Sequence, residues 1–260
     1  MISSQLVYVI LFHLAALSGQ ELSRQVEPSV FRLSVKLKNG KSASGTGFVI
    51  SKSGLVVTNN HVIQDAVAVQ AEQDGLVVPM KSGFYARDSQ HDLALLQMDL
   101  ERAPKDYEPQ PVEIAESTMD LDRGVEVYVL GHPEGVRHAE LNRGYITAIE
   151  ADPEMRRLRF DASIHGGSSG SPLFHSVDAN VIGVVTSYYT EASKLAYATP
   201  IEYLHQLRNL AGPTPQLKAF AIAPTRAGSN GPNIVLNLIL SVIFFALVLF
   251  GVRRLMHMSD

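Results

Sequence analysis

The stretch FRLSVKLKNGKSASGTGFVIS, residues Phe31 to Ser51, indicates the fold class of this chain of 260 residues. From Phe31 to Leu37 every second side chain is apolar and the intervening ones are polar, which is the period of a β-strand with one buried face. Asn39-Gly40 is a typical hairpin turn, and Gly45 to Ser51 supplies the return strand. An antiparallel hairpin is therefore predicted here.

Further short strands are predicted along the body of the chain, with turn residues between them. They span Leu55–Thr58, Val67–Ala71, Leu93–Met98, Val125–Leu130, Tyr145–Glu150, Arg156–Ala162 and Val181–Ser187. Many short strands without long intervening helices favour antiparallel barrels or a sandwich over alternating βαβ units. The predicted fold class is therefore all-β.

One helix is predicted at the end of the body. Thr199 and Glu202 have the spacing of a capping box, and Pro200 suits the first helical position. Gly212 and Pro213 end the helix. Four apolar side chains share one face, which we expect to pack on the β-structure: Ile201, Leu204, Leu207 and Leu210.

Composition excludes several classes of function. The chain is 46% hydrophobic with a formal net charge of −4, so it can form a core but offers no basic surface for nucleic acid. It contains no cysteine, which excludes disulfides, thiol nucleophiles and thiolate metal ligands. Its 9 histidines show no H-E-x-x-H spacing, which disfavours a zinc enzyme. Neither a metal nor an organic cofactor is predicted.

The N-terminal apolar run resembles a secretory signal peptide. Leu6 to Leu17 has the length of its hydrophobic core, and Ala16-Leu17-Ser18 offers small residues at the two positions that signal peptidase reads. We predict a signal peptide at residues 1–19. No Lys or Arg precedes the run, so an uncleaved anchor stays open as the alternative.

The C-terminal apolar run has the length of a membrane span. Ile234 to Val252 contains only Asn237 and Ser241 as polar side chains, and Arg253 follows. At about 1.5 Å per residue this helix nearly matches the ~30 Å hydrocarbon layer. The predicted organisation is a body at 25–211, a Pro/Gly-rich linker at 212–232, a transmembrane helix at 233–253 and a cytosolic tail at 254–260.

The stretch DASIHGGSSGSPLF, Asp161 to Phe174, suggests a nucleophilic serine. A serine hydroxyl needs a base to take its proton and donors for the oxyanion that attack produces. Gly166, Gly167 and Gly170 can adopt positive φ and turn backbone N–H groups into a concavity. A cluster of Gly and Ser is also compatible with a plain turn.

Two residues have the context of the serine's partners. His61 follows an apolar strand directly and lies on a polar turn, and Asp92 opens another buried strand. A serine nucleophile needs such a histidine, and the histidine needs a carboxylate that fixes its tautomer. Taken alone, each residue also fits a hydrogen-bonded turn or a strand-end cap.

Seven segments in order carry a family resemblance. They are GTGFVIS (45–51), GLVVTNNHVI (54–63), DLALLQ (92–97), LGHPEG (130–135), DASIHGGSSGSPLF (161–174), VIGVVTS (181–187) and YATPIEYL (197–204). The chain resembles the chymotrypsin-like serine proteases of the HtrA/Deg branch. The resemblance implies a double antiparallel β-barrel, with His61 and Asp92 from the first barrel and Ser169 from the second.

The resemblance also implies the role of each site residue. Ser169 is the nucleophile, His61 the general base, and Asp92 orients His61. The oxyanion hole is expected from the backbone N–H groups of Gly167 and Ser169, with help from Ser168. A substrate strand and an uncharged pocket for small or medium apolar side chains are expected from Ser163, Ile164, His165, Val185, Thr186, Ser187 and Tyr188.

The chain also departs from the family pattern. Gly166 stands where Pro or Arg is common, and Ser168 and Ser171 replace an Asn and a Gly. A looser loop predicts an oxyanion hole that forms only with substrate. Where the family commonly carries a PDZ domain, this chain leads into its linker, so we expect no recruitment by PDZ. A homo-oligomer, a trimer, is implied by the resemblance only.

These observations predict a membrane-anchored serine endopeptidase on the exported, periplasmic or extracytoplasmic, side. Its substrates would be exported or membrane-proximal proteins, in quality control or processing. The main alternative is a catalytically silent protease fold that binds extended peptides as a holdase or scaffold. An α/β-hydrolase esterase with Ser168 in G-x-S-x-G is disfavoured, because Pro172 to Phe174 predicts a strand where that fold needs a helix.

Overall fold

The computed structural model describes residues 16–153, 155–186 and 196–220. Within them the chain is all-β, with two closed antiparallel barrels and a short helix after the second, as the resemblance implied. Among these residues no helix combines the length and the apolar character needed to cross a membrane. The predicted membrane span at 233–253 and most of the predicted signal peptide lie outside them.

The first barrel is built from six strands. They are β1 (Val30–Leu37), β2 (Ser42–Val49), β3 (Leu55–Thr58), β4 (Ala66–Gln73), β5 (Leu76–Asp88) and β6 (Leu93–Met98). They are hydrogen-bonded in the order β5-β4-β1-β2-β3-β6, and pairing of β5 with β6 closes the barrel.

The second barrel closes in the order β10-β11-β12-β9-β8-β7. Its strands are β7 (Glu126–Gly131), β8 (Glu140–Ala151), β9 (Arg156–Phe160), β10 (Pro172–His175), β11 (Val181–Thr186) and β12 (Ala196–Pro200). A short β13 (Lys218–Ala219) pairs with β5 of the first barrel. The helices are α1 (Gly19–Val26), α2 (Asn60–Ile63) and α3 (Ile201–Ala211), and 3-10 turns lie at Glu27–Ser29 and Pro133–Gly135.

The predicted first hairpin is confirmed. β1 pairs with β2 in antiparallel register, and Gly40 takes φ +82° in the turn. The long strand β5 was not predicted, because Pro79 and Gly83 interrupt its apolar alternation and its pairing with β6 shifts register around Phe84. Pro79 is tolerated there opposite Gln70.

Each barrel has its own apolar core, and a third buried cluster lies between the barrels. The unpredicted helix α1 contributes Leu22 and Val26 to this third cluster, and α3 contributes side chains on its own buried face. The helix α1 begins at Gly19, so the folded body includes residues before Gln25, the first residue of the predicted body.

The predicted capping box of α3 is wrong. Pro200 is the N-cap and provides no side-chain cap, while the Thr199 hydroxyl donates to the carbonyl of His91 at 3.0 Å. The Glu202 carboxylate instead accepts from the backbone N–H of Thr118 at 2.6 Å. Both side chains have tertiary partners that a local pattern does not reveal.

The apolar stripe of α3 is shorter than predicted. Ile201, Leu204 and Leu207 are buried, but Leu210 is 81% exposed and does not pack on the barrels. Gly212 ends the helix as predicted, with φ +75°.

Candidate active site

His61 lies on the short helix α2, directly after the buried strand β3. The preceding Asn59 is fully buried, and its side-chain amide donates to the carbonyl of Asp92 at 2.9 Å and to the Thr186 hydroxyl at 3.1 Å. Asn59 therefore ties the start of α2 both to the turn before β6 and to the end of β11 in the other barrel.

Asp92 holds His61 through two hydrogen bonds. Its Oδ2 lies 2.6 Å from His61 Nδ1, and its Oδ1 accepts from the backbone N–H of His61 at 2.9 Å. Asp92 has φ +55°, a left-handed conformation that a non-glycine residue adopts only when its surroundings hold it there. With the proton on Nδ1, the Nε2 lone pair of His61 is available as a base.

The turn before Asp92 is itself held by a histidine. The Asp88 carboxylate accepts from the backbone N–H of His91 at 3.0 Å and lies 2.6 Å from its Nδ1, while the His91 ring stacks on Tyr203 of α3 at 3.7 Å. Burial raises the pKa of Asp88, but the hydrogen bonds from His91 outweigh it and leave the pKa below its usual value. Sequence reasoning missed this cluster, although the spacing of Asp88 and His91 was a signal.

Ser169 lies against the first barrel beside α2. Its carbonyl accepts from the N–H of Thr46 at 2.8 Å. A Cβ at Gly45 would lie 2.8 Å from Val62 and 3.3 Å from the Ser169 carbonyl oxygen, so glycine there permits this approach. Among the described residues no hydrogen bond joins the Ser169 hydroxyl to His61, and such bonds are often loose until substrate binds.

The segment from His165 to Ser168 forms a closed turn. The N–H of Ser168 donates to the carbonyl of His165 at 3.0 Å, and the Ser168 hydroxyl accepts from the N–H of His165 at 3.2 Å. Gly167 takes φ +93° at the third position, as a type II turn requires. Within the described part of the chain, the N–H groups of Gly167 and Ser169 donate to no protein acceptor, whereas that of Ser168 is used by the turn.

Thr46 of β2 anchors this turn across the two barrels. Its hydroxyl donates to the carbonyl of Gly167 at 2.9 Å and accepts from the N–H of His132 at 3.0 Å. Gly170, with φ +86°, passes so close that a Cβ there would lie 2.1 Å from the Thr46 carbonyl oxygen. The first barrel therefore fixes the backbone on both sides of Ser169.

The expected substrate-binding residues differ in their exposure. Ser163 and His165 are exposed, and Ile164 packs partly against the core of the second barrel. Thr186 is buried at the end of β11, and Ser187 and Tyr188 lie outside the described residues.

Val185 was expected to pair with substrate, but its backbone is otherwise engaged. Its N–H donates to the carbonyl of Ser171 at 2.8 Å, and its carbonyl accepts from the N–H of Gly170 at 2.9 Å. Its side chain is fully buried in the second barrel. Val185 therefore supports the nucleophile loop.

Two clefts of the described structure differ in whether they include candidate catalytic residues. One of about 420 Å³ is lined by Asn60, His61, Gln64, Arg87, Ser89, Asp92 and Thr186. A larger one of about 940 Å³, between β6 and the end of α3, contains none of the candidate catalytic residues. In the described ranges no group of three or more acidic or histidine side chains is arranged to hold a metal ion.

Comparison with known proteins finds relatives among proteases. "Probable periplasmic serine endoprotease DegP-like" of Halomonas elongata is 31% identical over 177 residues, 64% of this chain and 35% of that protein. "Protease Do-like 1, chloroplastic" of Arabidopsis thaliana is 34% identical over 176 residues, 61% of this chain and 37% of that protein. The chain thus matches little more than a third of the length of these curated relatives.

A solved structure and a family model complete the comparison. The Rv3671c protease from M. tuberculosis, in its active form, has a TM-score of 0.64 at 23% identity and covers 78% of this chain and 88% of its own, which shows the fold. The model described as "Trypsin-like peptidase domain" matches residues 45–184, more than half of the chain and a range that includes His61, Asp92 and Ser169. The protein therefore belongs to the trypsin-like peptidase domain family, and its relatives include HtrA/Deg-type proteases.

Proposed function

We propose that this protein is a serine endopeptidase with the triad Ser169, His61 and Asp92. Ser169 attacks the scissile carbonyl while His61 Nε2 takes its proton, and His61 then gives that proton to the leaving amine. Asp92 stabilises the imidazolium that forms. Water, activated by His61, releases the acyl group from Ser169. The observation that carries this proposal is the double hydrogen bond between Asp92 and His61.

The oxyanion hole is proposed from the N–H groups of Gly167 and Ser169. Both are without a protein acceptor among the described residues, and the closed turn at Gly167 supports a hole that exists before substrate binds. Ser168 is left out as a donor, because its N–H is bonded to His165. Removing one such donor typically costs about 2.7 to 4 kcal/mol of transition-state stabilisation.

We further propose that the peptidase acts on exported or membrane-proximal proteins, in quality control or processing. The apolar runs at 6–17 and 234–252 support export and membrane anchoring, and the Halomonas elongata relative is named as periplasmic. Confinement to a membrane raises the effective concentration of substrates that share it. We expect the full chain to sediment with membranes and deletion of residues 233–253 to release it.

A fluorophosphonate probe tests the triad, because it labels an activated serine covalently. Wild type should be labelled and should digest casein, whereas Ser169→Ala and His61→Ala should show neither. Ser168→Ala is the matched control, since it changes the adjacent serine, and it should keep labelling at a reduced rate.

Two results would redirect the proposal. Activity that survives Ser169→Ala but is lost in Ser168→Ala would move the nucleophile to Ser168. Absence of labelling in wild type, together with binding of extended peptides, would support a silent scaffold. The observation that favours this second candidate function is that, among the described residues, no hydrogen bond joins Ser169 to His61.

A further inference from the structure

Arg87 is the charged residue of the 420 Å³ cleft that the proposed chemistry does not use. Arg87 is half-buried near the end of β5, and it lines the same cleft as His61 and Thr186. The cleft is therefore next to the reacting centre, between the catalytic histidine and the end of β11.

The guanidinium of Arg87 is held in place but not neutralised. Its Nε donates to the side-chain oxygen of Asn60 at 2.7 Å, and its central carbon lies 5.0 Å from the centre of the Phe84 ring. These two contacts fix the plane of the group. Among the described residues its terminal Nη groups have no hydrogen-bond acceptor, so the fork remains available.

The carboxylates nearby are committed to other partners. Asp92, which lines the same cleft, is bonded twice to His61. Asp88, the residue after Arg87, is hydrogen-bonded to the backbone N–H and the ring of His91. Within the described ranges no carboxylate lies at ion-pair distance from Arg87, so its guanidinium has no ion-pair partner there.

A substrate side chain can reach this cleft only from close to the scissile bond. An extended peptide advances about 3.3 Å per residue. Because His61 belongs both to the reacting centre and to the cleft, side chains that enter it come from within roughly three residues of the bond that is cut. The carboxylate of an acidic side chain there could accept two parallel hydrogen bonds from the planar guanidinium of Arg87.

We propose that Arg87 is a specificity-determining residue that selects peptide substrates with Asp or Glu close to the scissile bond. This inference rests on the proposed endopeptidase function. Because the site is half-buried, the carboxylate keeps part of its hydration and the gain is modest, about fivefold in kcat/KM for Glu over Gln.

The test compares peptide pairs that differ only in Glu against Gln, scanned over the three positions on each side of the scissile bond. In wild type one position should prefer Glu about fivefold, and the preference should shrink as salt rises. Arg87→Gln should abolish the preference and Arg87→Glu should favour Lys over Gln at that position. Arg87→Lys should keep part of it, because a point charge remains but the fork is lost.

Arg143→Gln is the matched control, since Arg143 is an exposed arginine on β8 that does not line the cleft, and it should keep the wild-type ratio. The ratio of two kcat/KM values cancels any general loss of activity in a variant. An active, labelled wild type without Glu over Gln preference at any position overturns the inference and leaves the proposed function intact. A preference that persists in Arg87→Gln overturns it as well. Absence of fluorophosphonate labelling in wild type instead counts against the proposed function itself.

Discussion

At the scale of single residues, a buried side chain outside the cleft holds the backbone of the candidate site. Thr46 is fully buried, and its hydroxyl links the turn at Gly167 to the backbone of His132. Its N–H also binds the carbonyl of Ser169. A residue of the first barrel therefore holds the backbone at both Gly167 and Ser169.

Thr46→Val removes the hydroxyl at nearly constant shape, and we expect it to lower kcat by about tenfold with little change in KM, the equivalent of one hydrogen bond. The carbonyl of Gly167 loses its donor, so the turn that presents the oxyanion N–H groups loosens. Steady-state kinetics with a peptide substrate measures the split. Thr46→Ser keeps the hydroxyl and should retain most of kcat. A Thr46→Val enzyme with wild-type kcat, even if less stable, would show that the bond only supports the fold.

At the scale of elements, α1 ties the N-terminal segment to the body. Ser18 caps α1 in a capping box with Glu21, and the N–H of Leu17 donates to the carbonyl of Ser176 at 2.8 Å. The sequence assigned Ala16, Leu17 and Ser18 to a signal-peptidase site, but the structure gives two of them contacts within the fold. Removal of the predicted signal peptide, residues 1–19, would therefore take away the cap of α1.

Ser18→Ala should lower the free energy of unfolding by about 1 kcal/mol, because the backbone N–H of Glu21 in the first turn of α1 loses its side-chain acceptor. Urea unfolding followed by circular dichroism measures the loss. Ser18→Asn, which can also cap, serves as the control and should stay close to wild type. Equal stability of Ser18→Ala and wild type would mean that solvent satisfies the N–H of Glu21 equally well.

At the scale of the whole molecule, the site depends on contacts between the barrels. Asn59 bridges to Thr186, Thr46 bridges to Gly167 and His132, and α3 supports the turn before Asp92 through Tyr203 and His91. His132 is 1% exposed, and its Nδ1 lies 3.1 Å from the carbonyl of Val136. This histidine is a buried titratable group between the barrels.

Stability should therefore depend on pH through His132. Burial lowers the pKa of His132 below its ordinary value of 6.5, and the positive charge of Arg32 acts in the same direction, while backbone carbonyls and Asp74 oppose it. The unfolded chain then binds the proton first as pH falls. The stabilisation is complete above pH 6.5 and is lost as pH drops from there towards the lowered pKa.

Denaturant unfolding at a series of pH values between about 7.5 and 5 measures this effect. His132→Asn removes the titrating group, so its free energy of unfolding should fall less steeply over this range than that of wild type. The carboxylates titrate at lower pH and contribute little here. Parallel pH profiles of the two proteins would assign the loss to another group.

Local patterns were enough for much of the secondary structure and for the candidate triad. The alternation at Phe31 to Leu37 predicted a strand, and ordered segments around His61 and Ser169 indicated the family, because period and turn chemistry act over a few residues. Patterns failed where tertiary contacts override them. Pro79 interrupts the apolar alternation of β5, so that strand was not predicted. Thr199 and Glu202 form no capping box, because their side chains bond to His91 and Thr118 instead.

The sequence by itself determined the all-β fold class and indicated a candidate serine nucleophile with a histidine and a carboxylate, since strand periodicity and residue identity are local properties. Only the tertiary structure decided the rest. It showed that Thr46 holds the turn containing Gly167, and that Arg87, bonded to Asn60 and without an ion-pair partner among the described residues, lines the same cleft as His61. Thr46 and Gly167 are 121 positions apart in the chain, and only packing of one barrel on the other brings them together. Arg87 and Asn60 are 27 positions apart, and only packing of strand on strand brings them together.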